Sequence, residues 1–154
     1  TQIYEHVPDS QRLMDEIFRL LKKGGVCYFT AANRLTWMEP HYHLPLLSVM
    51  PKFLADRYLK RFRGVDFYYE TLQTLWGLKK LVRRFEIIDY TLTVIADPKR
   101  FHADDTLTEN TFSHHLIQSL SRLLYPLIPT YIWILKKSDD APSQEFVPQP
   151  RMSA

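Results

Sequence analysis

The sequence is poor in the residues that staple or punctuate small folds. It has one cysteine, Cys27, in 154 residues, so no internal disulfide can form and a disulfide-built secreted scaffold is excluded. No leader is recognisable ahead of it, and a reducing cytoplasm is the expected compartment. Cys27 lies inside an apolar run, where a buried thiol is expected rather than a nucleophile. There are four glycines, and none forms the G-x-G-x-x-G loop that lets a backbone close on a pyrophosphate. No apolar run reaches the roughly 20 residues that span a bilayer. The longest, Leu123 to Leu135, is broken by Pro126 and Pro129. It reads as a buried loop and strand, with peripheral lipid contact left open. Charge of one sign is lacking too: 20 Lys+Arg against 17 Asp+Glu give +3. The short basic groups (Lys22-Lys23, Lys79-Lys80, Arg83-Arg84) sit near expected helix ends, where cations favour the dipole, so no nucleic-acid partner is expected.

What the chain has is core. Hydrophobic residues are 45% and aromatics 14%, enough for one folded domain. Asp9 is placed to cap a helix with Leu13, Ile17, Leu20 and Leu21 on one face, ending at Lys22-Lys23-Gly24-Gly25. Val26 to Asn33 is a short apolar run that suits a strand covered on both faces, as in a parallel sheet. Residues 34–51, with three prolines, read as an ordered, aromatic-rich loop or lid. A helix is expected over 52–62 with Phe53, Leu54, Tyr58 and Leu59 inward, and a second over about 71–84 with Leu72, Leu75, Leu78 and Val82 as its core face. A long strand is expected over 85–95, a helix over about 110–124 and a last strand over 130–137. The polar, proline-containing residues 138–154 read as a flexible tail.

Three segments carry a resemblance. "EHVPD" at Glu5 to Asp9, "LLKKGGVCYFTAANR" at Leu20 to Arg34 and "RRFEIIDYTL" at Arg83 to Leu92 resemble the C-terminal half of class I S-adenosylmethionine-dependent methyltransferases of the ubiquinone-biosynthesis-like small-molecule group. The resemblance implies an α/β, Rossmann-like methyltransferase sheet, of which residues 1–137 supply the fifth to seventh strands and flanking helices, the last strand antiparallel between the fifth and sixth. The first half, with its cofactor loop, is absent. It therefore implies a truncated transferase, inactive alone, completed by its missing N-terminal half or by a complementary chain. The implied cofactor is S-adenosylmethionine, and the implied acceptor is a small molecule, glycan or lipid-linked compound. A second reading is a non-catalytic half-domain that acts as a pairing module.

Methyl transfer asks for alignment and at times for a base. His6 is the candidate base, and the resemblance places Tyr4 and Glu5 beside the cofactor. Asn33 and Arg34 end the first strand, where an amide and a guanidinium can orient a carboxylate or hydroxyl. Trp37, Tyr42, Tyr68 and Tyr69 offer aromatic area for a ring-bearing acceptor. Glu39, His41 and His43 alternate, so an extended backbone puts all three on one face, as a two-imidazole, one-carboxylate metal set requires. Pro40 and Pro45 argue instead for a loop, and the three are assigned to the acceptor pocket with no metal ligand.

Overall fold

The computed structural model describes residues 3–97, 99–101 and 124–138. The expected helix at 110–124, all but its last residue, and the tail beyond Ser138 lie outside them.

Asp9 caps the first helix as its position demands: its side chain accepts from the Arg12 N–H at 2.9 Å, and α1 runs Ser10–Leu20. The chain reverses through Gly24, whose φ of 70° suits glycine, into β1, Val26–Ala32. An ordered loop leads to α2, Lys52–Arg63, and then to α3, Leu75–Leu81, capped by the Thr74 hydroxyl. β2 is Glu86–Asp89, α4 is Thr91–Ala96 and β3 is Thr130–Lys136.

The sheet order is β1-β3-β2, and both ladders are antiparallel, with Phe29 opposite Trp133 and Ile87 opposite Leu135. β3 takes the middle, antiparallel place that the resemblance implies for its last strand, but the Rossmann-like parallel sheet around it is overturned. No two strands form a parallel ladder among the described residues; the only parallel pairing there is an isolated bridge between Asn33 and Gln73. The apolar run at Val26 misled because its first half is not covered on both faces: Val26 is 55% and Tyr28 51% exposed. β3 shows the alternation of a sheet with one well-packed face, Tyr131, Trp133 and Leu135 being fully buried while Ile132 and Ile134 are only half-buried.

The main core lies between that face and two helices: Met14 and Phe18 of α1, Leu75, Leu78 and Leu81 of α3, Phe29, Trp133 and Leu135. Lys137 closes it from one end. Its Nζ donates to the carbonyls of Phe18 and Leu21, both at 2.9 Å, and so satisfies the C-terminus of α1.

Three further expectations change. The strand over 85–95 stops at Asp89, because the Asp89 carboxylate accepts from the Thr91 N–H at 2.8 Å and turns the chain into α4. On α2 the inward residues are Ala55 and Leu59, while Phe53 and Leu54 face solvent. The helix over 71–84 is shorter than expected, and Leu72, though buried, precedes it.

Residues 34–51 form a folded loop with its own small core, Leu44 and Leu47 packing on Ala55, Leu59 and Tyr68. A bridge pairs Met38 with Pro45, and His43 and Leu46 take positive φ of 52° and 59°. No helix among the described residues is long and apolar enough to cross a membrane.

Candidate functional site

The site is built where the 34–51 loop meets the N-terminal turn, Tyr4–His6, and the extended segment 67–73. Glu39 organises the loop. It is fully buried, and its Oε2 accepts the N–H groups of His41 at 2.8 Å and Tyr42 at 2.6 Å. Its Oε1 lies 2.7 Å from His41 Nδ1 and accepts from the Tyr68 hydroxyl at 3.5 Å. One carboxylate thereby folds the Glu-Pro-His-Tyr turn and fixes the His41 ring. The expectation of an extended Glu39-His41-His43 face fails for that reason. Glu39 bends back on its own turn, and the left-handed His43 points its residue out of the group, exposed.

The N-terminal turn supplies what His43 does not. The His6 and His41 rings meet edge to face, centroids 5.0 Å apart. One ligand-capable atom each from Glu5, His6 and His41 lie within 4.8 Å of one another. Glu5 is 1% exposed, and neither carboxylate oxygen has a hydrogen-bond partner among the described residues.

Next to this cluster is a pocket of ≈ 350 Å³ walled by Arg34, Lys52, Tyr69, Glu70, Met50 and Leu72, among others. Both cations are tethered. Arg34 Nε donates to the Ser48 carbonyl at 3.1 Å, and Lys52 Nζ to the Tyr68 carbonyl at 2.7 Å. Glu70 accepts from the Tyr42 hydroxyl at 3.3 Å. Burial, and then the neighbouring Glu39 and Glu70 carboxylates, push the Tyr68 hydroxyl well above the ordinary phenol range. Tyr42 moves the same way, again chiefly through burial.

The remaining sequence candidates have other places. Tyr4 is buried in the core. Its hydroxyl donates to the Ala32 carbonyl at 3.1 Å and accepts from the Gln73 N–H at 3.2 Å, which ties the end of β1 to the segment before α3. Asn33 is fully buried, with Nδ2 donating to the carbonyls of Pro126 and Ile128 and to the Tyr131 hydroxyl. It anchors the turn before β3. Trp37 is 68% exposed and does not line the pocket. Ser48, Lys52 and Glu70 were missed from the sequence. The one local hint was the Tyr68-Tyr69-Glu70 run, an acid beside two hydroxyl-bearing rings.

Comparison with protein-family models, with curated proteins and with solved structures finds no match. With the antiparallel sheet, this overturns the methyltransferase resemblance. The S-adenosylmethionine-dependent activity, the transferase assignment and the cofactor itself fall with it. The physical reason is architectural: that cofactor is held at a glycine-rich turn ending a strand of a parallel ladder, and among the described residues there is neither a parallel ladder nor such a turn. Tyr4 and Glu5 lose their cofactor role, and His6 loses the base role that depended on methyl transfer.

Proposed function

We propose that this chain is a ligand-binding domain whose pocket beside the 34–51 loop takes a small carboxylate-bearing molecule. The observation that carries the reading is the Arg34 guanidinium on the pocket wall, held through Nε by the Ser48 carbonyl, with Lys52 beside it shared between the Tyr68 carbonyl and the Asp56 carboxylate. Side chains fixed in advance lose less freedom when an anion arrives, and a guanidinium matches a carboxylate in shape as well as charge. Met50, Leu72 and Tyr69 give the rest of the molecule an apolar and aromatic wall. Glu70 on the same wall favours a ligand that also carries a hydrogen-bond donor, such as a hydroxyl or amine. The ≈ 350 Å³ volume suits a compact molecule, near the lower end of ordinary ligand pockets.

A second pocket of ≈ 410 Å³ lies on the other face of the sheet, lined by Tyr28, Tyr90, Val94, Phe101, Ile132 and Ile134. Its described lining residues include no charged group to orient a ligand, so the reading rests on the first.

Calorimetric titration with benzoate and butyrate tests it. Binding that Arg34→Gln weakens about tenfold or more, as expected for a lost charge-assisted hydrogen bond of about 1.5–3 kcal/mol, supports the reading. No binding at millimolar concentrations, or binding indifferent to Arg34→Gln, contradicts it.

A further inference from the structure

Glu5 has a position in the fold that its neighbours do not explain. A carboxylate removed from water needs hydrogen-bond donors or a cation, since an isolated buried charge is among the most costly things a protein can hold. Glu39 shows how this chain meets that demand when the partner is its own backbone: two N–H groups and an imidazole close on it. Glu5 is just as buried, and both its oxygens lack partners among the described residues. The groups nearest it with nitrogen lone pairs are His6 and His41. They stand close enough to share an ion with Glu5 and make no hydrogen bond to it.

We propose that Glu5, His6 and His41 bind a divalent first-row transition-metal ion of the zinc class, with Glu39 as the outer carboxylate that orients His41. Three features of the geometry converge on this. Two imidazoles and one carboxylate are a donor set that selects zinc and its neighbours over calcium or magnesium, which prefer oxygen throughout. The ligand atoms, within 4.8 Å of one another, need to close to about 3.3 Å for tetrahedral bonds of about 2.0–2.1 Å. His6 is exposed on a one-turn helix, and its described ring contact is with His41, the other imidazole of the set. Glu39 Oε1 engages Nδ1 of His41 at 2.7 Å. This leaves Nε2 as the metal-binding nitrogen, the carboxylate–histidine pairing that fixes ring and tautomer at metal centres.

Three protein ligands leave a fourth position, and the exposure of His6 puts it on the solvent side. Water or a ligand atom can occupy it. The peptide N–H of Thr71, a residue of the neighbouring pocket wall, donates to the Glu5 carbonyl at 3.0 Å, so the two sites share a backbone contact. The metal assignment does not rest on the carboxylate reading. It is tested without any carboxylate present.

The test is zinc titration of the full chain by calorimetry, paired with the visible absorption of bound cobalt(II). One ion per chain is expected. His6→Ala, at an exposed position whose described ring contact is with His41, and Glu5→Gln, which keeps the side-chain shape, should each weaken binding at least tenfold, while His43→Ala should leave it unchanged. No uptake at micromolar zinc overturns the proposal. So does uptake that survives either His6→Ala or Glu5→Gln, because the ion would then sit elsewhere in the chain.

Discussion

The Nδ1 atom of His41 lies 2.7 Å from Oε1 of Glu39, a carboxylate that is itself fully out of solvent and already accepts two N–H groups of the same turn. This contact fixes an imidazole at the edge of a loop that has no regular secondary structure beyond one short turn. It also links loop shape to site shape.

Removing that carboxylate should therefore do more than delete a hydrogen bond. Glu39→Ala strands two backbone donors and frees the His41 ring. Each buried donor left unpaired costs about 1–3 kcal/mol, so a loss of at least about 2 kcal/mol is expected in urea-induced unfolding. A change under about 0.5 kcal/mol would mean that the turn is held by other contacts.

Lys137 should be sensitive in a different way. Its ammonium donates to two terminal carbonyls of α1 and lies 4.7 Å from the centre of the Phe18 ring. Lys137→Met keeps the stem and removes the charge. The expected cost is about 1.5–3 kcal/mol, the range for hydrogen bonds made by charged groups, and denaturant titration of the variant measures it.

Gly64 offers a test of backbone strain alone. It ends α2 with φ of 70°, and a Cβ there would meet nothing within 4 Å. Gly64→Ala should cost about 1 kcal/mol from the left-handed conformation. A thermal-unfolding midpoint unchanged by the substitution would show that the α2 end can relax without loss.

Alkaline conditions should unfold the protein through its buried phenols. Burial, reinforced by a hydrogen bond to Asp89, pushes Tyr125 up to about 12, and burial likewise raises Tyr4, Tyr68 and Tyr131. A phenol whose folded value exceeds its unfolded one holds its proton more tightly when folded. Its stabilisation is complete below about pH 10 and is lost as pH rises toward 12. Urea stability should fall over that window, and phenolate absorbance should show fewer tyrosines titrating near pH 10 in the native protein than in urea.

What could be read in the sequence was local. Asp9 announced α1, and the apolar run at 130–137 announced β3, though not which of its faces is buried. What could not be read depended on side chains meeting across the chain, or on a single polar contact outvoting a pattern. "TLTV" after Asp89 has the β-branched content of a strand, yet one Asp89 hydrogen bond makes it a helix. The Glu-x-His-x-His spacing suggested a shared face, but Glu39 folded into its own turn and His43 went left-handed. Glu5 and His6 took the places beside His41 from 35 or 36 positions away, where no local periodicity reaches. The pocket wall likewise joins Arg34 to Glu70 through tertiary packing alone. The parallel-sheet expectation failed because an apolar run does not report which of its faces is covered.

The pocket itself is tested most directly by proton–nitrogen correlation NMR of the full chain during titration with benzoate. Saturable shifts are expected at Arg34, Ser48 and the segment Tyr69 to Leu72, with the Arg34 side-chain signal among them. Shifts confined to Tyr28, Tyr90 and Ile134 on the opposite face of the sheet, or no shifts at millimolar benzoate, would contradict it.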